Sequence, residues 1–230
     1  MSIMGKIRML TQISILKTLY MNFKTQKFVN AVKLPIWVGK HTKLDICWGG
    51  VLIRSNISSG MIRIGIGGSP DLFYYEARKN YVGVARGARL VFNGFTHFAP
   101  HTSVLVGENA ELLFGSNFSS NNGCRYSAMN KIEFGNNVLL GGNCVIRDSD
   151  GHRIYDVDED KKKARKNSAP VKIGNHVWIA NNCHVLKGVT IADDTIIGYN
   201  SLIVGNVCEC NSIYAGTPAK LIKSGVVWER

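Results

Sequence analysis

The sequence predicts an all-β chain wound as a parallel β-helix, with a basic helical segment before it and a short cap after it. Three observations predict this: a six-residue repeat running from Ile173 to Cys208, a gap in that repeat between 151 and 170, and Gly or Asn at turn places within the repeats.

From Ile173 the chain reads IGNHVW, IANNCH, VLKGVT, IADDTI, IGYNSL, IVGNVC. The first place of each hexad holds Ile173, Ile179, Val185, Ile191, Ile197 and Ile203, and four residues on come the small Val177, Cys183, Val189, Thr195, Ser201 and Val207. A strand alternates with period two and a helix with 3.6, so a strict period of six fits neither alone. It fits short strands joined by tight turns, in which every sixth residue points inward, and hexapeptide repeats are a signature of parallel β-helices. With three hexads per triangular turn, Ile173 should stack on Ile191, Ile179 on Ile197 and Val185 on Ile203. Gly174-Asn175 and Gly198-Tyr199-Asn200 suit turns that need positive φ. The pattern recurs upstream in FGNNVL, LGGNCV and IRDSDG (134–151) and more raggedly in VGENAE (106–111). The helix is therefore placed over 45–214, with a loop ejected at 151–170 and a cap at 215–230.

Residues 1–44 carry Lys6, Arg8, Lys17, Lys24, Lys27, Lys33, Lys40 and Lys43 and no acid, a concentrated part of the net charge of +12. Ile3, Ile7, Leu10, Ile13, Leu16, Tyr20 and Phe23 recur at steps of three and four or close to them, as on one face of a helix. Basic residues interrupt this run too often for a signal peptide or a membrane span. Two readings stand: an amphipathic segment in peripheral contact with anionic lipid, or a helix packed on its own body with its lysines in water. Nucleic-acid binding is not expected, because aromatics are not interleaved with the positive charge on one repeating face. The six cysteines form no CxxC pair and several alternate with apolar residues. They read as reduced, mostly buried thiols of a cytoplasmic protein rather than a metal or disulfide framework, and no metal is expected.

The ejected loop begins in IRDSDGHRIYD, residues 146–156. A coil cannot absorb some twenty residues without a hexad, so the chain must leave the prism there. His152 stands at the base of that loop, and loops held on rigid scaffolds are where chemistry concentrates. An imidazole, with an ordinary pKa of about 6.5, can accept the proton of an attacking hydroxyl. Asp148 and Asp150 are candidates to orient the ring or to grip an acceptor. His176 and His184 fall within hexads at turn or outward places, and His97 and His101 form an HxxxH with no third ligand at convincing spacing.

The stretch from Val171 to Lys223, with its hexads, the Gly-Asn-x-Val-Trp-Ile of 174–179 and the Ala-Gly-Thr-Pro-Ala-Lys of 215–220, resembles the left-handed β-helix acyltransferases of the hexapeptide-repeat family. It is similar in particular to bacterial O-acetyltransferases acting on sugars and on capsular or O-antigen polysaccharide. The run LYMNFKTQKFVNAVKLPIWV is similar to the leader of capsule-type members. The resemblance implies left-handed coils, against the usual right-handed crossover, and a homotrimer with acetyl-CoA bound between subunits. It implies that Gly151-His152 carries the general base, assisted by an asparagine one coil earlier at Asn121 or Asn122. It implies CoA contacts at Ala180, Asn181, Tyr199, Gly205 and Lys220, with Ala180 standing where relatives have Gly and Tyr199 where they have Ala. Trp178 is a candidate for the substrate wall or for interface packing.

The function expected is transfer of acetyl from acetyl-CoA to a hydroxyl of a sugar or cell-surface polysaccharide precursor, in the cytoplasm or at the inner face of the membrane. The alternatives are N-acetylation of an amino-sugar nucleotide or other small acceptor, a zinc-dependent carbonic anhydrase needing three histidines between subunits, and a non-catalytic structural trimer.

Overall fold

Ile173, Ile179 and Val185 lie opposite Ile191, Ile197 and Ile203 in a computed structural model of the chain, in the register that the hexads predict. The structure describes residues 9–67, 79–155, 157 and 165–230. Three parallel sheets form the faces of a prism. The first face stacks Ile36–Val38, Ile62–Ile64, Thr96–Phe98, Phe118–Ser120, Leu139–Leu140, Trp178–Ile179, Ile196–Ile197 and Ser212–Gly216. The second stacks Thr42–Ile46, Asn80–Val84, Ser103–Val106, Arg125–Ala128, Val145–Arg147, His184–Val185 and Leu202–Ile203. The third stacks Val51–Ile53, Arg89–Phe92, Glu111–Phe114, Lys131–Phe134, Val171–Ile173 and Thr190–Ile191. The architecture is the left-handed parallel β-helix expected.

The ragged upstream pattern has a geometric cause. Arg125 lies opposite both Ser103 and Val145, so neighbouring coils there take 22 and 20 residues, whereas Lys172 lies opposite Thr190, only 18 on. Longer coils enclose a wider interior, and aromatic side chains fill it. One inward column of the third face runs Phe92, Phe114, Phe134, Ile173, Ile191, changing from phenylalanine to isoleucine where the coil shortens. The rings of Phe114 and Phe134 stack with centroids 5.0 Å apart. All of the small residues expected beside the aliphatic columns are buried, from Val177 to Val207.

Three expectations are corrected. The coil begins before residue 45, since Ile36–Val38 pairs with Ile62–Ile64 and Thr42–Ile46 with Asn80–Val84. The alternating apolar residues of LPIWV and TKLDI build these strands, so the helical part among the described residues is shorter: α1, Ile15–Thr25, and α2, Phe28–Ala31. Positive φ in the first hexad falls on His176 (φ 53°), not on Gly174-Asn175. Gly174 is needed instead because a Cβ there would sit 2.3 Å from Asp193 Oδ1 in the next coil.

The C-terminus is more than a cap. Ser212–Gly216 and Ala219–Ser224 form an antiparallel hairpin that extends the first face, with the Gly-Thr-Pro-Ala stretch at its tip. The tail then returns along the edge between the third and first faces. Trp228 Nε1 donates to the His176 carbonyl at 2.9 Å, and the Arg230 guanidinium reaches Val138 one coil away and Asn117 and Ser119 two coils away.

Of the cysteines, Cys124, Cys144 and Cys183 are buried and Cys47, Cys208 and Cys210 are exposed, all as free thiols, so fewer are buried than expected. The buried three form an inward column at the edge between the first and second faces. Their thiols donate to carbonyls of the neighbouring coil, at 3.0 Å from Cys124 to Gly141 and 3.1 Å from Cys144 to Ala180. Among the described residues, no helix is long and apolar enough to cross a membrane.

Candidate active site

The gap in the hexads opens at one edge of the prism. The chain leaves the second face after Arg147 and returns to the third at Val171, while Glu133 and Lys172 still pair as neighbours across the gap. The two arms of the loop run antiparallel at its neck. Asp150 N donates to Asn167 O at 3.0 Å, Ala169 N to Asp148 O at 2.9 Å, and Arg165 N to Ile154 O at 2.7 Å. A short paired neck fixes where the loop emerges without demanding anything of the core.

The two aspartates hold this neck. Asp148 is fully buried, and its oxygens accept the amide N–H groups of Met129 at 2.7 Å and Asn130 at 2.8 Å, in the turn of the preceding coil. Burial raises its carboxyl above the ordinary range, against the opposing pull of those backbone donors. Asp150 is ion-paired with Lys187, in the turn of the following coil, and the Lys187 ammonium also donates to Lys166 O at 2.8 Å. One carboxylate thus ties the neck to the coil before it and the other to the coil after it.

Neither aspartate orients His152. The imidazole is exposed, and among the described residues none is hydrogen-bonded to it. Backbone amides hold the Asp148 carboxylate and Lys187 that of Asp150 instead. Gly151, with φ 85°, makes the turn that presents His152, a backbone state that a side chain would strain. Ile154, Tyr155 and Val157, just beyond it, are also exposed.

The other candidates fall on different edges. Asn121 lies in the turn between the first and second faces, and its N–H donates to Leu140 O at 3.0 Å. Its neighbour Asn122 buries a side-chain oxygen without a partner. Ala180, Asn181 and Tyr199 share that edge on later coils. Asn181 Oδ1 accepts the Gly142 amide at 3.1 Å, and the Tyr199 hydroxyl accepts from Asn182 Nδ2 at 2.7 Å, which holds the exposed ring in place. Lys220 is exposed on the hairpin beside Ala215. Gly205 lies on the His152 edge, with open space where a Cβ would be. Trp178 is on the first face, opposite the His152 edge of the prism, and packs on Trp228 with centroids 6.0 Å apart. Within one chain the second face therefore separates His152 from Asn121, Ala180, Asn181 and Tyr199, and the structure does not bring Trp178 to them. Lys187, Asn130 and Asn167 were not singled out from the sequence. Their roles depend on which turns flank the neck, which the longer coils hide.

His176 and His184 lie as expected at a turn and on an outward strand position. His176 Nδ1 is 2.8 Å from Asp194 Oδ1, and its ring stacks on Trp228. His97 binds the Ile66 carbonyl at 2.7 Å, and burial lowers its pKa. Among the described residues no three His, Cys, Asp or Glu side chains are grouped to hold a metal ion.

Residues 170–205 match the family described as bacterial transferase hexapeptide (six repeats), so this segment carries that family's repeat. The chain is 30% identical over 130 residues to the galactoside O-acetyltransferase of Escherichia coli (strain K12), covering 51% of this chain and 62% of that protein. It is 28% identical over 120 residues to the putative lipopolysaccharide biosynthesis O-acetyl transferase WbbJ of the same organism, covering 49% and 60%. The chain thus spans less than two thirds of the length of these relatives. Among solved structures, the polySia-specific acetyltransferase NeuO superposes with a TM-score of 0.53 at 20% identity, covering 85% of this chain and 89% of that one, and shares the fold.

Proposed function

We propose that the protein is a CoA-dependent O-acetyltransferase acting on a hydroxyl of a sugar or cell-surface saccharide, with His152 as general base. The observation that carries this reading is the neck at 148–169, which two aspartates pin to the coils on either side so that the exposed His152 imidazole stands out from the edge of the prism. Similarity to named sugar and lipopolysaccharide O-acetyltransferases supports the reaction class.

In the reaction, His152 takes the proton of the acceptor hydroxyl as its oxygen attacks the acetyl carbonyl carbon. The carbon–sulfur bond then breaks, and the imidazolium returns the proton to the departing CoA thiolate. Acetyl-CoA would lie along the edge of Ala180, Asn181 and Tyr199, where the tethered Tyr199 ring narrows the groove, with Lys220 near its phosphates. That edge and the His152 edge are separated by the second face within one chain. A complete site therefore forms when the His152 edge of one chain meets the Tyr199 edge of another, as three-fold assembly of identical chains would arrange. The ring of His152 would then be oriented by the acceptor or by the neighbouring chain.

The test is transfer of labelled acetyl from acetyl-CoA to a panel of saccharides and amino-sugar nucleotides. Wild-type protein should label hydroxyl acceptors, and His152→Ala should lose on the order of 10²–10⁴ in rate without a change in melting temperature. Undiminished transfer by that variant would remove His152 from the mechanism, and label on amino groups alone would replace O- by N-acetylation.

A further inference from the structure

Helix α1 is turned inside out. Its buried residues are Thr18, Met21 and Asn22, whereas Ile15, Leu16, Leu19, Tyr20 and Phe23 face solvent. The inward polar residues bond to the first strand of the coil. Val38 N donates to Thr18 Oγ1 at 3.1 Å and Ile36 N to Asn22 Oδ1 at 3.0 Å, while Asn22 Nδ2 donates to the Ile36 carbonyl at 2.7 Å. These bonds complete the free edge of the first coil, and that need fixes the helix with its polar stripe inward. The apolar stripe read from the sequence is consequently the outward one. Leu16 is 81% exposed, and Phe28 and Val29 of α2 extend the patch at 75% and 63%. Helix α1 is thus packed on its own body, as one of the two readings of the leader has it, but through its polar stripe rather than its apolar one.

Basic side chains surround the patch. A cavity of about 530 Å³ beside α1 is lined by Lys17, Tyr20, Lys40, His41, Lys43 and Lys79, among others, with no acid in its lining. Lys24 folds over the Tyr20 ring and donates to its hydroxyl at 2.7 Å. No acidic residue precedes Asp45 in the sequence.

We propose that this end of the coil docks on an anionic lipid surface. The apolar face of α1 sits among the acyl chains, and the Lys17–Lys40–Lys43–Lys79 cavity takes lipid phosphate. Charge selects this occupant over a two-fold pairing of the patch with its own copy, since two such patches face to face would set lysine against lysine without a counter-charge. An acidic polysaccharide would satisfy the lysines but give Ile15, Leu16 and Phe23 nothing to bury against. Apolar and basic groups on one surface helix match the interface of a bilayer, which offers both environments within a few ångströms.

Co-sedimentation of the full chain with vesicles tests this, comparing phosphatidylcholine alone with phosphatidylcholine containing roughly one third phosphatidylglycerol. Binding should be at least about tenfold tighter to the anionic vesicles and should weaken with salt. The double variant Ile15→Asp, Leu16→Asp should lose at least about tenfold, and Lys40→Ala with Lys43→Ala several-fold, with melting temperatures unchanged because all four side chains are exposed. Failure to bind anionic vesicles would overturn the proposal. So would undiminished binding by the aspartate variant, the result expected if the lysines alone attract any polyanion, or loss of self-association in that variant, the result expected of a chain–chain contact. Acetyl transfer to a soluble acceptor should be the same in all of these variants, so this proposal and that of the reaction fail independently.

Discussion

The carboxylate of Asp150 is ion-paired with the ammonium of Lys187 in the turn of the following coil, and the same ammonium donates to the Lys166 carbonyl on the returning arm of the loop. One lysine therefore clamps both arms of the neck. Lys187→Ala should leave the core intact and cost about 1 kcal/mol of global stability, because the pair is partly solvated. Its main effect should be local. Trypsin should cut after Arg165 and Lys166 several-fold faster than in wild type at temperatures where the coil stays folded, and equal cutting rates would show that the clamp does not hold the neck.

The roles given to the two aspartates and to His152 separate in a kinetic comparison. A base in contact with the reacting hydroxyl should account for about 10²–10⁴ of the rate, and a group that only positions the loop for much less. Asp150→Asn should reduce kcat/KM by less than about tenfold, with most of the change in KM, and Lys187→Ala should resemble it. If Asp150→Asn instead matches His152→Ala, the carboxylate acts on the imidazole and the clamp is not its main role.

Asp148 gives a stability prediction with a sign. Two amides converge on its carboxylate, so Asp148→Asn keeps one acceptor and turns an N–H donor toward another donor. The cost should be about 1–3 kcal/mol. Burial raises the folded-state pKa of Asp148 above its unfolded value near 3.9. Its contribution is therefore fully present below the unfolded pKa and is lost as pH rises through the folded pKa. The stability difference between wild type and Asp148→Asn should accordingly widen as pH falls from neutral into the acid range. Denaturant midpoints measured at several pH values check this, and a difference that narrows on acidification would contradict the burial argument.

How much was legible depends on coil length. Where coils hold 18 residues, the period of six is visible, and the stacks of Ile173 on Ile191, Ile179 on Ile197 and Val185 on Ile203 follow from counting. In the upstream coils the extra residues lengthen strands such as Arg125–Ala128 to four, so the inward places of Phe92, Phe114 and Phe134 no longer recur at sixes. The break that exposes His152 was visible for the same reason as the stacks. The partners of Asp148 and Asp150 were not, because they are set by which turns flank the break, and those turns are contacts between coils rather than neighbours in sequence. The outward stripe of α1 was legible as a stripe, but its direction was decided by the free edge of Ile36–Val38, which claims Thr18 and Asn22.

The C-terminal tail supplies the last prediction. Trp228 stacks on His176 with ring centroids 4.4 Å apart and donates its indole N–H to the His176 carbonyl, while His176 also meets Asp194. A nearly buried indole joined to a turn in this way should anchor residues 226–230 along the prism edge. Trp228→Ala removes the stack, the hydrogen bond and the contact with Trp178, at a cost of about 2–4 kcal/mol if the tail unfolds together with the coil. If the tail unfolds separately, the global midpoint should barely move and only the tail amides should lose protection from hydrogen exchange. The Arg230 contacts with Asn117 and Ser119 favour the first outcome, because they reach two coils away and couple the tail to the wide, phenylalanine-filled part of the core. Hydrogen exchange on Trp228→Ala beside wild type distinguishes the two. A variant with unchanged protection both in residues 226–230 and in the coil would show that the stack anchors nothing.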